Sequence, residues 1–214
     1  MLSWLDSLLR NALTYLYGIT ESYGLAIIVL TLIIKTLLYP LIKKQTQSMK
    51  GMQKLQPEME KIKKKYKDNK EKQQQKMMEL YKEHNINPAA GCLPLLVQMP
   101  ILIVFYRVLL DWDVLQGVGF TIIPDLSEAF LPLAILTGAT MFLQTYVQQN
   151  LGGGSPGGGA QSKVMMYVMP VFIVFIGLSL PSGVLLYWFT SNLIMLIQQY
   201  KIYQQPDTAK GDAS

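Results

Sequence analysis

The chain has 214 residues, half of them hydrophobic, and a formal net charge of +5. Its apolar residues stand in blocks too long for an ordinary soluble domain, so we expect a protein that spans the bilayer several times. A single cysteine and a single histidine exclude a disulfide framework and a Cys/His metal site within one chain. Of the 19 lysines and arginines, 13 lie between residues 43 and 82, which indicates membrane topology rather than a nucleic-acid surface.

Residues 1–20 have the pattern of an amphipathic helix. Leucines recur along one stripe at positions 2, 5, 9, 13 and 16, and polar side chains lie opposite them. We predict that this segment is an interfacial helix that lies on the membrane surface. A signal peptide is the competing interpretation, but no basic residue precedes the apolar part and no small-residue cleavage site follows it.

Residues 21–44 are predicted to form the first transmembrane helix, because their apolar run approaches the roughly 20 residues that a span requires. Lys35 lies inside this run, about two turns from the pair Lys43 and Lys44. An ammonium at that depth costs at least about 2.5–3.5 kcal/mol. Lys35 must therefore be paired, neutral, extended towards the interface or hydrated, and it is a candidate functional residue.

Residues 45–87 are rich in lysine and are predicted to form a cytoplasmic helical hairpin. Apolar residues recur every three or four positions on either side of Asp68-Asn69, which indicates two antiparallel helices with a thin apolar seam. The lysines fit two interpretations, orientation signals alone or a docking surface for anionic lipid or an acidic partner. Both remain open. The candidates for partner binding are Lys61, Lys63, Lys64, Lys65 and Lys67.

Residues 88–205 are predicted to contain transmembrane helices two to five. We place them at about 94–110, 129–149, 164–180 and 182–203. A glycine-rich linker, natural or introduced, occupies 152–159, and a short cytoplasmic tail occupies 206–214. The loop at 111–128 holds four carboxylates and no lysine or arginine. With five spans, the amino terminus lies outside and the carboxyl terminus in the cytoplasm, which satisfies the positive-inside rule.

The carboxylates lie in loops or at the ends of the five predicted spans, as Glu21 does at the start of the first, so Lys35 has no evident counter-ion at membrane depth. This weakens a proton- or cation-coupled transporter, which usually needs an acidic residue there. The spans do contain neutral polar side chains, which we interpret, with Lys35, as the lining of a water-filled recess open to the cytoplasm. Such a recess would attract a translocating peptide segment that carries negative charge. Polar packing between helices is the alternative. The polar residues are Thr31, Gln98, Gln144, Tyr187, Thr190, Ser191 and Asn192.

Two motifs carry a resemblance to a known family. NP-x-x-GC-x-P-x-x-x-QMP begins at Asn87, and PSG-x-x-LYW-x-x-SN begins at Pro181. Together with TLIIKTLLYPLIKK and the hairpin that follows it, these motifs resemble the YidC-type membrane protein insertases, the family that includes the mitochondrial and chloroplast thylakoid insertases. The resemblance covers residues 24–205.

The resemblance implies an all-α membrane protein with a five-helix core, in the short form that lacks the additional amino-terminal span and large external domain of many Gram-negative members. It implies a non-enzymatic insertase and chaperone of a bacterial inner membrane. Such a protein binds clients in a hydrophilic groove and releases them into lipid without nucleotide, metal or other cofactor. The family's groove usually carries an arginine where this chain has Lys35. Matching groove and crossing-helix positions are Thr31, Gln98, Tyr187, Trp188, Ser191 and Asn192.

The implied partners are nascent membrane proteins and the lipid bilayer. The ribosome, the signal recognition particle or its receptor and the Sec translocon are further candidates, and no direct nucleic-acid specificity is expected. Two rival functions remain. In a small-solute or anion transporter or channel, Lys35 would bind the anion. In a purely structural subunit, Lys35→Leu would be silent and stabilising.

Overall fold

The computed structural model describes residues 3–84, 86–87, 93–110, 112–151 and 164–205. In these ranges the chain is helical and forms no β-strand, apart from an isolated bridge between Phe120 and Ile123. The all-α class predicted from the sequence is therefore confirmed for the described part of the chain. The predicted glycine-rich linker at 152–159 and the predicted tail at 206–214 lie outside the described residues.

The described ranges contain nine α-helices, a 3-10 turn at Asp113–Leu115 and a π-helical turn at Val164–Val168. The helices are α1 (Ser3–Thr20), α2 (Tyr23–Leu37), α3 (Tyr39–Lys54), α4 (Gln56–Lys65), α5 (Lys70–Glu83), α6 (Leu93–Leu110), α7 (Leu131–Leu151), α8 (Met169–Gly177) and α9 (Ser182–Gln204). The last of these, α9, packs against α2, α3, α6 and α7 and is the centre of the arrangement.

Helix α1 packs beside α2 and α6. Leu9 and Leu13 are buried in the main core, whereas Trp4 and Tyr15 are exposed. Glu21, with a φ of 53°, ends the helix in the left-handed region, and the Ser22 hydroxyl caps the start of α2. The placement of α1 on a membrane surface stays a prediction.

None of the helices in the described ranges is by itself both long and apolar enough to cross a bilayer. Helices α1 and α2 meet the requirement of length and composition together, but the chain bends by 118° at the break between them. Shorter apolar helices occupy Val97–Leu110 and Met166–Gly177. The count of five spans stays a prediction.

The segment predicted as one helix over 21–44 is divided at Leu38. Helix α2 ends at Leu37, and α3 begins at Tyr39 and continues to Lys54. Pro40 at the start of α3 has no N–H to continue the hydrogen-bond ladder of α2. The break therefore comes three residues after Lys35.

The main core lies where α1, α2, α6 and α9 meet, and the loop between α6 and α7 closes one end of it. In this loop Asp125 accepts hydrogen bonds from the backbone N–H groups of Gly117 at 2.7 Å and Ser127 at 2.8 Å. Burial opposes ionisation of Asp125, but these bonds and one from the Ser127 hydroxyl outweigh it and lower the pKa of the carboxyl. The largest fully buried side chains of this core are Leu13, Ile27, Phe105, Leu109, Leu115, Leu126, Leu185 and Tyr187.

The same loop fixes the start of α9. The Ser182 hydroxyl donates to the carbonyl of Glu128 at 2.8 Å, and the Gly183 N–H donates to the carbonyl of Leu126 at 2.8 Å. The first N–H groups of a helix have no partner within it. The loop therefore supplies acceptors that α9 needs.

Arg107 and Asp6 form an ion pair at 3.2 Å that ties α6 to α1. Arg107 lies in the last turn of α6. Its partner is 101 positions away in the chain and becomes apparent only when α1 folds back beside α6.

Helices α4 and α5 pack side by side around a small second core. Tyr81 donates to the sulfur of Met59 at 3.4 Å, and Gln73 on α5 donates to the Lys63 carbonyl on α4 at 3.1 Å. These helices lie in the segment predicted as a helical hairpin, and both the hairpin and its cytoplasmic location stay predictions. The second core consists of Met49, Met52, Leu55, Met59, Leu80 and Tyr81.

The base of this helix pair is attached to the end of α9. The Lys50 ammonium on α3 donates to the carbonyls of Tyr203 at 3.2 Å and Gln205 at 3.0 Å. The last carbonyls of a helix lack intrahelical partners and carry partial negative charge, so a cation there stabilises the end. These hydrogen bonds attach α3 to the end of α9.

Candidate functional site

Lys35 occupies the last turn of α2 and is 2% exposed. Its ammonium donates a hydrogen bond to Oε1 of Gln98 at 3.2 Å. Among the described residues, no carboxylate lies within ion-pair distance of this ammonium. The buried cation is therefore held by a neutral amide.

Gln98 on α6 connects Lys35 to α9. Its Nε2 donates to the Tyr187 hydroxyl at 2.9 Å. Tyr187 is 0% exposed, and its ring stacks on Phe105 with centroids 4.1 Å apart and planes 17° apart. The polar chain from Lys35 through Gln98 to Tyr187 thus joins three helices inside apolar surroundings.

Two other predicted residues lie beside this chain. Ser191 follows Tyr187 by one turn of α9 and is buried. Thr31 precedes Lys35 by one turn of α2 and is also buried, but its hydroxyl donates to the Ile27 carbonyl at 2.6 Å in its own helix. Thr31 therefore shares the face of Lys35 without a hydrogen bond to the ammonium.

Two further predicted residues, Asn192 and Gln144, belong to a different contact. Asn192 Nδ2 donates to the Thr140 hydroxyl at 3.4 Å, and Gln144 Nε2 donates to the Met195 sulfur at 2.7 Å, both between α9 and α7. Trp188 is partly buried against the main core. The structure connects Lys35, Gln98 and Tyr187, and it places Gln144 and Asn192 at the contact of α9 with α7.

A recess adjoins Lys35 where α2 and α3 meet α6 and α9. Its free volume for water is about 20 Å³, which is room for about one molecule. The recess is narrow because aliphatic side chains of α3, α6 and α9 pack close to the ammonium. The water-filled recess open to the cytoplasm that the sequence suggested stays a prediction. The lining residues are Lys35, Leu38, Leu41, Ile42, Gln45, Val97, Gln98 and Met195.

Sequence reasoning missed Gln198. Its Nε2 donates to the backbone carbonyl of Lys35 at 3.2 Å. Gln198 follows Tyr187 by 11 positions, which places both on one face of α9. That spacing is a signal that was available, although a glutamine near a helix end is too common to single out.

The five predicted partner-binding lysines lie on or just after α4. Four of them, Lys61, Lys64, Lys65 and Lys67, are exposed, and Lys63 is half-buried. The Lys65 ammonium lies 5.7 Å from the centroid of the Tyr66 ring. In the described part of the chain, no group of three or more His, Cys, Asp or Glu side chains is placed to hold a metal ion.

Comparisons with known proteins place these features in a family. The family model described as 60Kd inner membrane protein matches residues 15–209. A curated relative from Fusobacterium nucleatum, named membrane protein insertase YidC, is 44% identical over 95% of this chain and 99% of its own length. A relative of the same name from Clostridium perfringens is 43% identical over 92% of this chain and 84% of its own length.

A solved structure is also similar. It is described as the crystal structure of an active YidC insertase with its first transmembrane domain resolved, and it is 34% identical with a TM-score of 0.70. The match covers 92% of this chain and 46% of the solved chain. The chain therefore spans about half the length of that insertase.

Proposed function

The chain belongs to the 60Kd inner membrane protein family, and from this premise we propose that it is a membrane protein insertase and chaperone. It binds nascent membrane proteins in a hydrophilic groove that opens to the cytoplasm and releases them into the bilayer. The names of the relatives support the proposal that the chain is an insertase. The proposal that clients bind in a groove rests on the contacts around Lys35.

The observation that carries the proposal is the buried Lys35 ammonium with a neutral amide partner. An ammonium has three N–H donors, and Gln98 accepts from one of them. A carboxylate of a client segment at 4 Å would gain an attraction of about 4 kcal/mol at an effective dielectric constant of 20, before desolvation is counted. Lys35 therefore lowers the free energy of an acidic segment that enters the apolar layer.

The narrow recess makes opening a part of this mechanism. A client segment enters only when α3 or α9 moves away from α6, because Leu38, Ile42 and Met195 occupy the space beside the ammonium. Methionine has a flexible, polarisable side chain that adapts to varied apolar surfaces. Separation of these helices also exposes the client to lipid, so the same movement serves entry and release.

The proposed topology has five spans, with α1 lying on the outer surface and the amino terminus outside. The α4–α5 hairpin and the carboxyl terminus face the cytoplasm. The clustering of lysine in residues 43–82 and the four carboxylates of residues 111–128 support this orientation. No cofactor enters the mechanism, since differential solvation of the client supplies the driving force.

Cross-linking of a stalled nascent chain tests the groove. A photo-reactive residue at Met195, which lines the recess, should form adducts with a ribosome-bound membrane protein segment. The matched control is Ile197, which is 57% exposed on the same helix and outside the recess. Adducts should be strong at position 195 and weaker at position 197. Equal yields at both positions would contradict the groove.

The rival function, an anion transporter or channel, also uses an ammonium without a carboxylate partner. Purified protein in vesicles distinguishes the two functions. Saturable anion flux with no effect on nascent-chain insertion would favour the transporter and remove the insertase proposal.

We further propose that the exposed lysines of the hairpin bind the polyanionic surface of the ribosome. Lys61, Lys64 and Lys65 share one face of α4, while Met59 and Ile62 point into the second core. This division leaves the basic face available to a partner. The signal recognition particle or its receptor and the Sec translocon are further proposed partners.

Charge reversal tests this surface. Replacing Lys61, Lys64, Lys65 and Lys67 by glutamate should abolish salt-sensitive co-sedimentation with ribosomes, while the corresponding arginine variant should co-sediment like the unaltered protein. Both variants should fold, because the four side chains are exposed. Unchanged co-sedimentation of the glutamate variant would reject the ribosome as partner.

A further inference from the structure

The carboxyl end of α2 is held by a side chain from another helix. Gln198 on α9 donates its amide N–H to the Lys35 carbonyl at 3.2 Å. The last four carbonyls of a helix lack the partners that the next turn would supply, and α2 ends two residues after Lys35. Gln198 therefore acts as a cap on the turn that carries the buried ammonium.

Helix α9 holds Lys35 at two points. It reaches the backbone through Gln198, and it reaches the ammonium through Tyr187 and the Gln98 amide. The two α9 residues are 11 positions apart, or about 16 Å along the helix. This distance exceeds the length of a lysine side chain. The Gln198 contact therefore constrains the position of the Lys35 backbone, and the contact through Gln98 constrains the direction in which the Lys35 side chain extends.

Helix α9 also holds the other side of the break. Lys50 on α3 binds the carbonyls of Tyr203 and Gln205 at the end of α9. The two segments that meet at Leu38 are thus each attached to α9. Without the Gln198 contact, α3 would remain attached, while the backbone of the last turn of α2 would lose its hydrogen bond to α9 and only the Lys35 side chain would still be held, through Gln98 and Tyr187.

We propose that Gln198 is a positioning residue for Lys35, an inference that rests on the insertase function proposed above. Gln198 does not touch the client. It fixes the last turn of α2 so that the ammonium meets an acidic client segment at a defined depth. Its contribution to insertion is therefore exerted only through Lys35 and only for clients that use it.

Gln198→Met, which keeps the length of the side chain and removes the N–H donor, tests the proposal. The matched control is Gln199→Met, at a neighbouring glutamine that is 3% exposed and does not line the recess beside Lys35. Hydrogen exchange reports on α2 directly and independently of function. The amides of residues 35–38 should exchange about two- to tenfold faster in Gln198→Met, as expected for the loss of one hydrogen bond, and at the unaltered rate in Gln199→Met.

Insertion rates in reconstituted vesicles give the second readout, with one client that has an acidic translocated segment and one that has a neutral segment. Gln198→Met should lower insertion of the acidic client about three- to tenfold, leave the neutral client unaffected and have no further effect when combined with Lys35→Ala.

Three results would overturn the inference. They are unchanged exchange at residues 35–38, equal losses for both clients, and losses that add to those of Lys35→Ala. If Lys35→Ala itself inserts the acidic client at the unaltered rate, the proposed role of Lys35 fails and the positioning role fails with it. That result differs from a failure of Gln198→Met alone, which leaves the proposed function intact.

Discussion

Lys35→Ala should lower insertion of clients with acidic translocated segments by about tenfold or more, equivalent to about 1.4 kcal/mol in the barrier. The variant removes the cation that offsets the client's negative charge in an apolar layer. Lys35→Arg should retain most of the activity, because it keeps the charge and adds donors that can bind a carboxylate. Clients with neutral segments should be inserted equally by all three proteins.

Lys35→Met is the control that separates function from stability. An isolated buried charge is unfavourable, and apolar replacement of buried charged groups is often neutral or stabilising by about 1–4 kcal/mol. Lys35→Met should therefore unfold at a temperature equal to or above that of the unaltered protein, yet insert acidic clients as poorly as Lys35→Ala. Thermal unfolding in detergent and insertion into vesicles measure the two quantities. Equal insertion by the lysine, alanine and arginine forms would remove the electrostatic role.

Gly24→Ala should destabilise the fold by about 1–3 kcal/mol, as expected for overpacking of a filled site. A Cβ atom at position 24 would lie 2.1 Å from Cγ and 2.7 Å from Cβ of Phe120. Phe120 cannot easily withdraw, because it exchanges two backbone hydrogen bonds with Ile123, at 2.8 and 2.9 Å. The alanine would therefore push the loop between α6 and α7 away from the start of α2.

Gly18→Ala is the matched control for this substitution. Gly18 lies inside α1, and a Cβ atom there would meet no atom within 4 Å. Alanine at a helical glycine with free space is expected to stabilise by up to about 1 kcal/mol. The unfolding temperature should therefore fall in Gly24→Ala and stay level or rise in Gly18→Ala. Equal unfolding temperatures for the two variants would mean that Phe120 does not pack on α2 as described.

Part of the candidate site was predictable from residue types alone. A lysine inside an apolar run, with carboxylates only in loops or at the ends of the predicted spans, is unusual enough to identify Lys35 as a functional candidate. Gln98 and Tyr187 lie in motifs that resemble a family, and the structure connects both to Lys35. The same reasoning grouped Gln144 and Asn192 with Lys35, Gln98 and Tyr187. In the structure the side chains of Gln144 and Asn192 instead form hydrogen bonds between α7 and α9.

The residues that sequence reasoning missed are those whose role depends on the relative position of distant helices. Gln198 reaches the Lys35 carbonyl across 163 positions, and Lys50 reaches Gln205 across 155 positions. Arg107 finds Asp6 only because α1 lies beside α6. Each of these side chains is ordinary in its own segment, so no local pattern distinguishes it.

The sequence by itself determined the helical class, the membrane family and the presence, in an apolar segment, of a lysine without a carboxylate partner. The helical class and the apolar segments follow from composition and from periods of three to four residues, which act within a single helix, whereas the family follows from the motifs that begin at Asn87 and Pro181. Only the tertiary structure decided that the ammonium is held by Gln98, that the recess beside it is narrow, and that α9 holds both sides of the break at Leu38. The reason is physical: packing brings side chains from separate helices within hydrogen-bond distance, and the spacing along one helix contains no information about that distance.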